Sequence, residues 1–126
     1  MSAAGPANGD PDRFRIALVT LLHAAVAPHA GRIKVAFVYG SIARGTDTPA
    51  SDIDVIVIGD DLTIAEFHDA LHGAQMILHR PVHAHCVSPA HWRRRVAEGN
   101  AFVTRVGAGP KIFIIGDEGD LRAVNQ

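Results

Sequence analysis

Two apolar runs, Ile33 to Tyr39 and Asp52 to Ile58, stand on either side of a turn-rich stretch, and the second is entered through carboxylates. The first run leads into Gly40-Ser41-Ile42-Ala43-Arg44-Gly45; the second begins as Ser51-Asp52-Ile53-Asp54 and is then continuously apolar. This arrangement restricts the fold more than any other feature of the chain. Short β-branched and aromatic runs between turn signals read as strands, and an unbroken apolar one belongs at the centre of a sheet. Side chains alternate along a strand, so Asp52 and Asp54 share one face while Ile53 points to the other. Gly40 permits a sharp turn after the first strand, and the free N–H groups of a turn or helix opened by Ser41 suit a phosphate. Two neighbouring carboxylates repel unless a cation lies between them, and hard oxygen ligands favour Mg²⁺ or Mn²⁺. The segment is suited to a nucleotide and its metal.

Composition narrows the alternatives. With 126 residues and 48% hydrophobic content, the chain suits one compact domain around a single core. The formal net charge is −1, so no global basic field draws it to nucleic acid. The local run Arg93-Arg94-Arg95 reads as the cap or solvated face of a helix. Cys86 is the only cysteine, which excludes an internal disulfide and a cysteine-rich zinc cage. Arg13, Arg15 and the apolar run to Val26 resemble a targeting signal. However, an acidic Pro/Gly stretch precedes them, His23 interrupts them, and their apolar positions have helical spacing. No stretch reaches the roughly 18 apolar residues of a spanning helix. The expectation is a cytoplasmic protein without a membrane partner.

Residues 1–9 read as a tail, residues 10–121 as one domain and residues 122–126 as a second tail, with the acidic stretch after Gly116 exposed. Asp10-Pro11 looks like an N-cap with proline at the first helical position, opening a helix that Pro28 and Gly31 end. Strands are expected at Ile33–Tyr39, Asp52–Ile58, Val82–Val87 and Lys111–Ile115. A long helix is expected over Leu62–His79, and short helices after Ser88 and over Ala101–Val106. Trp92 and Phe102 read as core anchors, Ser88 as a helix cap and Asp47 as a turn former. The fold class is α/β (α+β): a small mixed sheet of about four strands with helices packed against it.

Gly40-Ser41, Arg44-Gly45 and Ser51-Asp52-Ile53-Asp54 resemble the signature of the DNA polymerase β-like nucleotidyltransferase superfamily, and its minimal bacterial members in particular. That signature is Gly-Ser, about ten residues, then Asp-x-Asp; here ten residues, Ile42 to Ser51, separate Ser41 from Asp52. The likeness extends over roughly residues 31 to 121. It implies transfer of a nucleoside monophosphate from a nucleoside triphosphate, ATP foremost, to an acceptor hydroxyl. By resemblance, Gly40 and Ser41 hold the outer phosphates, Arg44 adds a phosphate contact, and Asp52 and Asp54 bind Mg²⁺ or Mn²⁺. Relatives of this size pair with a helical partner protein and modify it, so a protein acceptor or a second copy of the chain is expected to complete the acceptor pocket.

One departure stands out. The family carries a third carboxylate on the strand after the long helix, and the matching strand here reads Val82-His83-Ala84-His85. His83 falls at the acid's place, and no Asp or Glu lies between Asp69 and Glu98. His83 is therefore the third catalytic candidate, as a metal ligand better suited to Mn²⁺ or Zn²⁺ than to Mg²⁺ or as a general base. The same departure supports a second reading, a regulatory or antitoxin-like module that binds nucleotide without transferring it. A third, hydrolysis at a histidine-based metal site around His83, His85, Asp52 and Asp54, leaves the Gly-Ser element unexplained.

Overall fold

The computed structural model describes residues 11–126. The expected tail at residues 1–9 and the cap at Asp10 lie outside the described residues. Helix α1 (Pro11–Val26) continues into a 3-10 turn (Ala27–Arg32) before strand β1 (Ile33–Tyr39). A single helical turn, α2 (Ser41–Arg44), and a loop lead to β2 (Ile53–Gly59). Helix α3 (Ile64–Leu78) and β3 (Val82–Val87) follow, then α4 (Pro89–Ala97), α5 (Ala101–Ala108), β4 (Ile112–Ile115) and α6 (Glu118–Asn125).

The four strands form one sheet in the order β3-β2-β1-β4. β1 runs antiparallel to both β2 and β4, while β2 and β3 are parallel, with α3 as the crossover between them. The apolar strands β1 and β2 occupy the centre, as their unbroken hydrophobicity requires. Each face of the sheet carries its own core. On one, Ala36, Val38, Ile53, Val55 and Val57 meet Leu18, Leu22 and Val26 of α1 and Phe67, Leu71 and Ala74 of α3. On the other, Val35, Phe37, Ile56 and Ile58 meet Trp92, Val103, Val106, Leu121 and Val124 from α4, α5 and α6. The expected mixed sheet with packed helices is thus the architecture found.

Local caps follow sequence chemistry. Ser88 Oγ accepts the His91 N–H at 3.1 Å and Asn100 Oδ1 accepts the Val103 N–H at 3.1 Å, which sets the starts of α4 and α5. α3 starts two residues later than expected, because Glu66 Oε2 accepts the Thr63 N–H at 2.8 Å and fixes Thr63 as the cap.

Two expectations need correction. The stretch after Gly116 is not an exposed tail. Asp117 and Asp120 cap each other's backbone N–H groups, α6 forms, and Leu121 and Val124 are buried in the second core. Trp92 Nε1 also donates to Asn125 Oδ1 at 2.7 Å, which holds the end of α6 against α4. The second correction concerns length. The 3-10 turn extends α1 into a 21-residue helical run, Asp12–Arg32, whose most apolar 18-residue window has mean hydropathy 1.2, enough by length and composition alone to cross a membrane. Leu18, Leu22, Ala25 and Val26 of this run are core residues.

Candidate nucleotide and metal site

The site is built where β1 ends and β2 begins. Gly40 leaves β1 with φ +78° and ψ −153°, a conformation that side chains disfavour, and Gly45 closes the α2 turn at φ +77°. The turn is held by Arg44 N–H to Gly40 O at 3.0 Å and by Thr46 N–H to Ser41 O at 3.0 Å. Ile42, buried in the first core, pins it to the sheet. Space matters at Gly40 as much as torsion: a Cβ there would stand 2.9 Å from Asp54 Oδ2. The glycine therefore leaves a cradle directly beside a carboxylate.

Sheet register aligns the rest. Tyr39 is the antiparallel partner of Asp54, and His83 is its parallel partner on the other side. A row Tyr39–Asp54–His83 thus crosses three strands. Asp52, just before β2, is reached by His83, whose Nε2 lies 2.9 Å from Asp52 Oδ2. A carboxylate only accepts, so the ring nitrogen donates. Both side chains are about half exposed, at 54% and 48%. His85 is exposed on the same face, one alternation further along β3.

Burial is the main reason that the Asp54 carboxyl is held above its ordinary value of 3.8. Among the neighbouring charges His83 lowers it, Asp52 raises it, and His85 and then Arg44 lower it. These couplings place the two aspartates, two histidines and Arg44 in one electrostatic neighbourhood. The Tyr39 hydroxyl is pushed above 10.0, first by burial and then by the Asp54 charge. Ser41 is half-buried at the start of the turn, and Arg44 is exposed at its end.

The residues singled out from sequence, Gly40, Ser41, Arg44, Asp52, Asp54 and His83, therefore stand at one end of one sheet. Among the described residues no group of three or more His, Cys, Asp or Glu side chains is drawn together as a metal cage. The donor set fits a divalent cation in a narrower sense. The Asp54 carboxylate beside the Gly40 cradle and that of Asp52, two residues earlier, offer hard oxygen donors, and the remaining coordination positions would fall to water or a ligand's phosphates.

Three contacts around the site are absent from the motif. Tyr39 faces Asp54 through register, and Phe102 of α5 packs edge-on against Tyr39 at 5.7 Å. Asp47, expected to form a turn, also accepts from Arg80 Nη1 at 2.8 Å. Tyr39 could have been found from its place before Gly40. The Asp47–Arg80 pair has no sequence signal, because 33 residues separate the partners. Cys86 is half-buried, and burial, followed by the charge of Glu66, raises its thiol above 9.0.

Comparison with known proteins bears on the family and the fold. The chain is 41% identical over 44 residues to the Methanocaldococcus jannaschii protein named "Putative protein adenylyltransferase MJ0604", a match covering 35% of this chain. The match spans 44% of that relative, less than half its length. Two solved structures share the fold. One is a toxin–antitoxin crystal structure with AMP-PNP, 15% identical, with a TM-score of 0.57 over 85% of this chain and 80% of that one. The other is a mutant of the toxin–antitoxin MntA-HpeT, 14% identical, with the same TM-score and coverage. The sequence profile of the family "Polymerase beta, Nucleotidyltransferase" matches residues 24–87, which take in β1, the Gly-Ser turn, both aspartates and β3. The chain belongs to the polymerase β-type nucleotidyltransferase family.

Proposed function

We propose that the chain binds a nucleoside triphosphate, ATP foremost, together with Mg²⁺ or Mn²⁺, and transfers its nucleoside monophosphate to a hydroxyl of an acceptor protein. The observation that carries this reading is the contact between Gly40 and Asp54. A glycine forced by both torsion and space lies against one of two same-end carboxylates, so phosphate and cation would be seated side by side. In the transfer, the acceptor oxygen bonds to the α-phosphorus, the bond from that phosphorus to the pyrophosphate oxygen breaks, and the acceptor proton is lost. Bound divalent metal would supply charge neutralisation on the phosphates and on the attacking and leaving oxygens.

The chain's own residues have separable tasks. Asp52 and Asp54 hold the cation, which needs both carboxylates ionised. Gly40 and Ser41 receive the outer phosphates through turn N–H groups and the Ser41 hydroxyl. Arg44, always charged, forks onto a phosphate oxygen from the turn's exposed end. His83 would take the acceptor proton, a role supported by its bond to Asp52, which would orient its ring. The protein acceptor draws support from the relative named as a protein adenylyltransferase and from fold neighbours crystallised as toxin–antitoxin pairs.

Thermal melting with ATP and Mg²⁺, followed by transfer of α-labelled ATP in the presence of the genomic neighbour's product, tests the reading. A ligand bound only by the folded state at about 100 times its Kd adds about 2.7 kcal/mol to stability. Asp52→Asn combined with Asp54→Asn should abolish that gain. A double variant that responds like the parent rules the assignment out. The second reading, a nucleotide-binding regulatory module, is favoured by His83 at the place of the third acid. It predicts the same melting gain with no label transferred.

A further inference from the structure

Outside the motif, three segments of the chain meet at one guanidinium. Arg80, two residues beyond α3, donates Nη1–H to Asp47 Oδ2 at 2.8 Å, and the two side chains are only 12% and 22% exposed. The Phe14 ring of α1 stacks against the same group, its centroid 4.2 Å from Cζ. Asp47 belongs to the loop that joins the Gly40-Ser41 turn to Asp52 and Asp54. The loop's own hydrogen bonds are internal at its far end: Thr48 N–H to Ser51 Oγ at 2.9 Å, and Ser51 N–H to Thr48 O at 2.9 Å. Those bonds set the loop's shape but not its position against the sheet. Position comes from the pair Arg80-Pro81. Arg80 grips Asp47, and Pro81 O accepts the Ile53 N–H at 2.8 Å, so adjacent residues hold both ends of the loop.

We propose that Arg80 and Asp47 are positioning residues, a clamp that fixes the distance between the Gly40-Ser41 turn and the Asp52 and Asp54 carboxylates. Triphosphate and metal can be seated together only if that distance is held. The inference rests on the triphosphate–metal reading of the site. Chemistry favours this role for arginine in particular. Its planar fork donates in plane to the carboxylate while its face stacks on Phe14, and lysine cannot do both. Removing one partner of a mostly buried pair leaves the other charge uncompensated, so Asp47 or Arg80 alone would turn away toward solvent and carry the loop with it.

The test compares the parent, Asp47→Asn, Ser41→Ala and the combined variant. Affinities for Mg·ATP and for AMP are measured calorimetrically below every melting temperature, and amide exchange of residues 46–51 is followed without ligand. Asp47→Asn should weaken Mg·ATP about tenfold and speed loop exchange about tenfold, with AMP affinity changed less than about twofold. Added to Ser41→Ala it should cost little further, since both act at one seat and neighbouring effects are not additive. Arg80→Lys, which keeps charge without fork or stacking, should fall between parent and Asp47→Asn, and it serves as the comparison if Asp47→Asn fails to fold. Unchanged Mg·ATP affinity in Asp47→Asn, or equal losses for Mg·ATP and AMP, overturns the clamp while the site reading stands. A parent that fails to bind Mg·ATP overturns both.

Discussion

His83 Nε2 and Asp52 Oδ2 are 2.9 Å apart, and the strand register sets the same histidine beside Asp54. An imidazole therefore already occupies one of the carboxylates that the proposed cation needs. Metal entry must displace or share that bond, and triphosphate oxygens would have to complete the coordination shell. Metal affinity in the absence of nucleotide should accordingly be weak.

The most local consequence concerns Gly40. Alanine there would have to adopt an extended positive-φ conformation that is essentially glycine-only, at a cost of roughly 1–3 kcal/mol, and would push its methyl group against Asp54 Oδ2. Gly40→Ala should lower Tm by several degrees and, in addition, remove most of the melting gain from ATP and Mg²⁺. A loss of stability with the nucleotide gain intact would show that Asp54 moves aside freely and is not needed where it stands.

Stability should depend on pH through Glu66. Its carboxyl is lowered below 4.5, first by the bond from Arg32 and then by the Thr63 N–H. A depressed carboxyl contributes stability above its unfolded value, and that contribution is lost as pH falls through the folded one. Glu66→Gln should melt below the parent at pH 7, with the gap closing at pH values well under 4.5. A gap that persists unchanged in acid would assign the effect to packing against His29 and Arg32.

The second core makes a prediction that sequence reading missed. Leu121 is 2% exposed among Trp92, Val106 and their neighbours, so Leu121→Ala should cost about 2–5 kcal/mol. Chemical denaturation measures it directly. A cost below about 0.5 kcal/mol, the range of surface substitutions, would return the chain's end to the status of an exposed tail.

What could be read from the sequence, and what could not, divides on locality. The strands around the motif were legible because apolar runs and glycine punctuation are local signals, and Ser88 announced its own helix. Helix α6 was hidden because Glu118, Gly119 and Asp120 outweigh the two large apolar residues, Leu121 and Val124, although the reciprocal cap of Asp117 and Asp120 carries the signal. The row Tyr39–Asp54–His83 needed two registers, one of them across a parallel crossover, and alternation within single strands cannot supply them. The Arg80 contacts with Phe14 and Asp47 needed the tertiary fold itself.

His83 gives the sharpest test of enzyme against module. Its position opposite Asp54 and its bond to Asp52 put the 83 side chain within reach of both proposed metal ligands. His83→Asp would replace a nitrogen donor with a hard oxygen donor, which Mg²⁺ accepts more readily. It would also remove the donor that now holds Asp52 and add a third negative charge, so without metal the variant should melt below the parent. With Mg²⁺ and ATP the order should narrow or reverse, because the cation offsets the added repulsion. If the parent transfers nucleotide, His83→Asp should shift its metal preference from Mn²⁺ toward Mg²⁺, whereas His83→Ala should slow transfer with either ion. The assay needs the partner protein present, since the acceptor hydroxyl is expected there. Should His83→Asp bind Mg·ATP as well as the parent, yet transfer nothing with either metal and the partner supplied, the regulatory-module reading takes the lead.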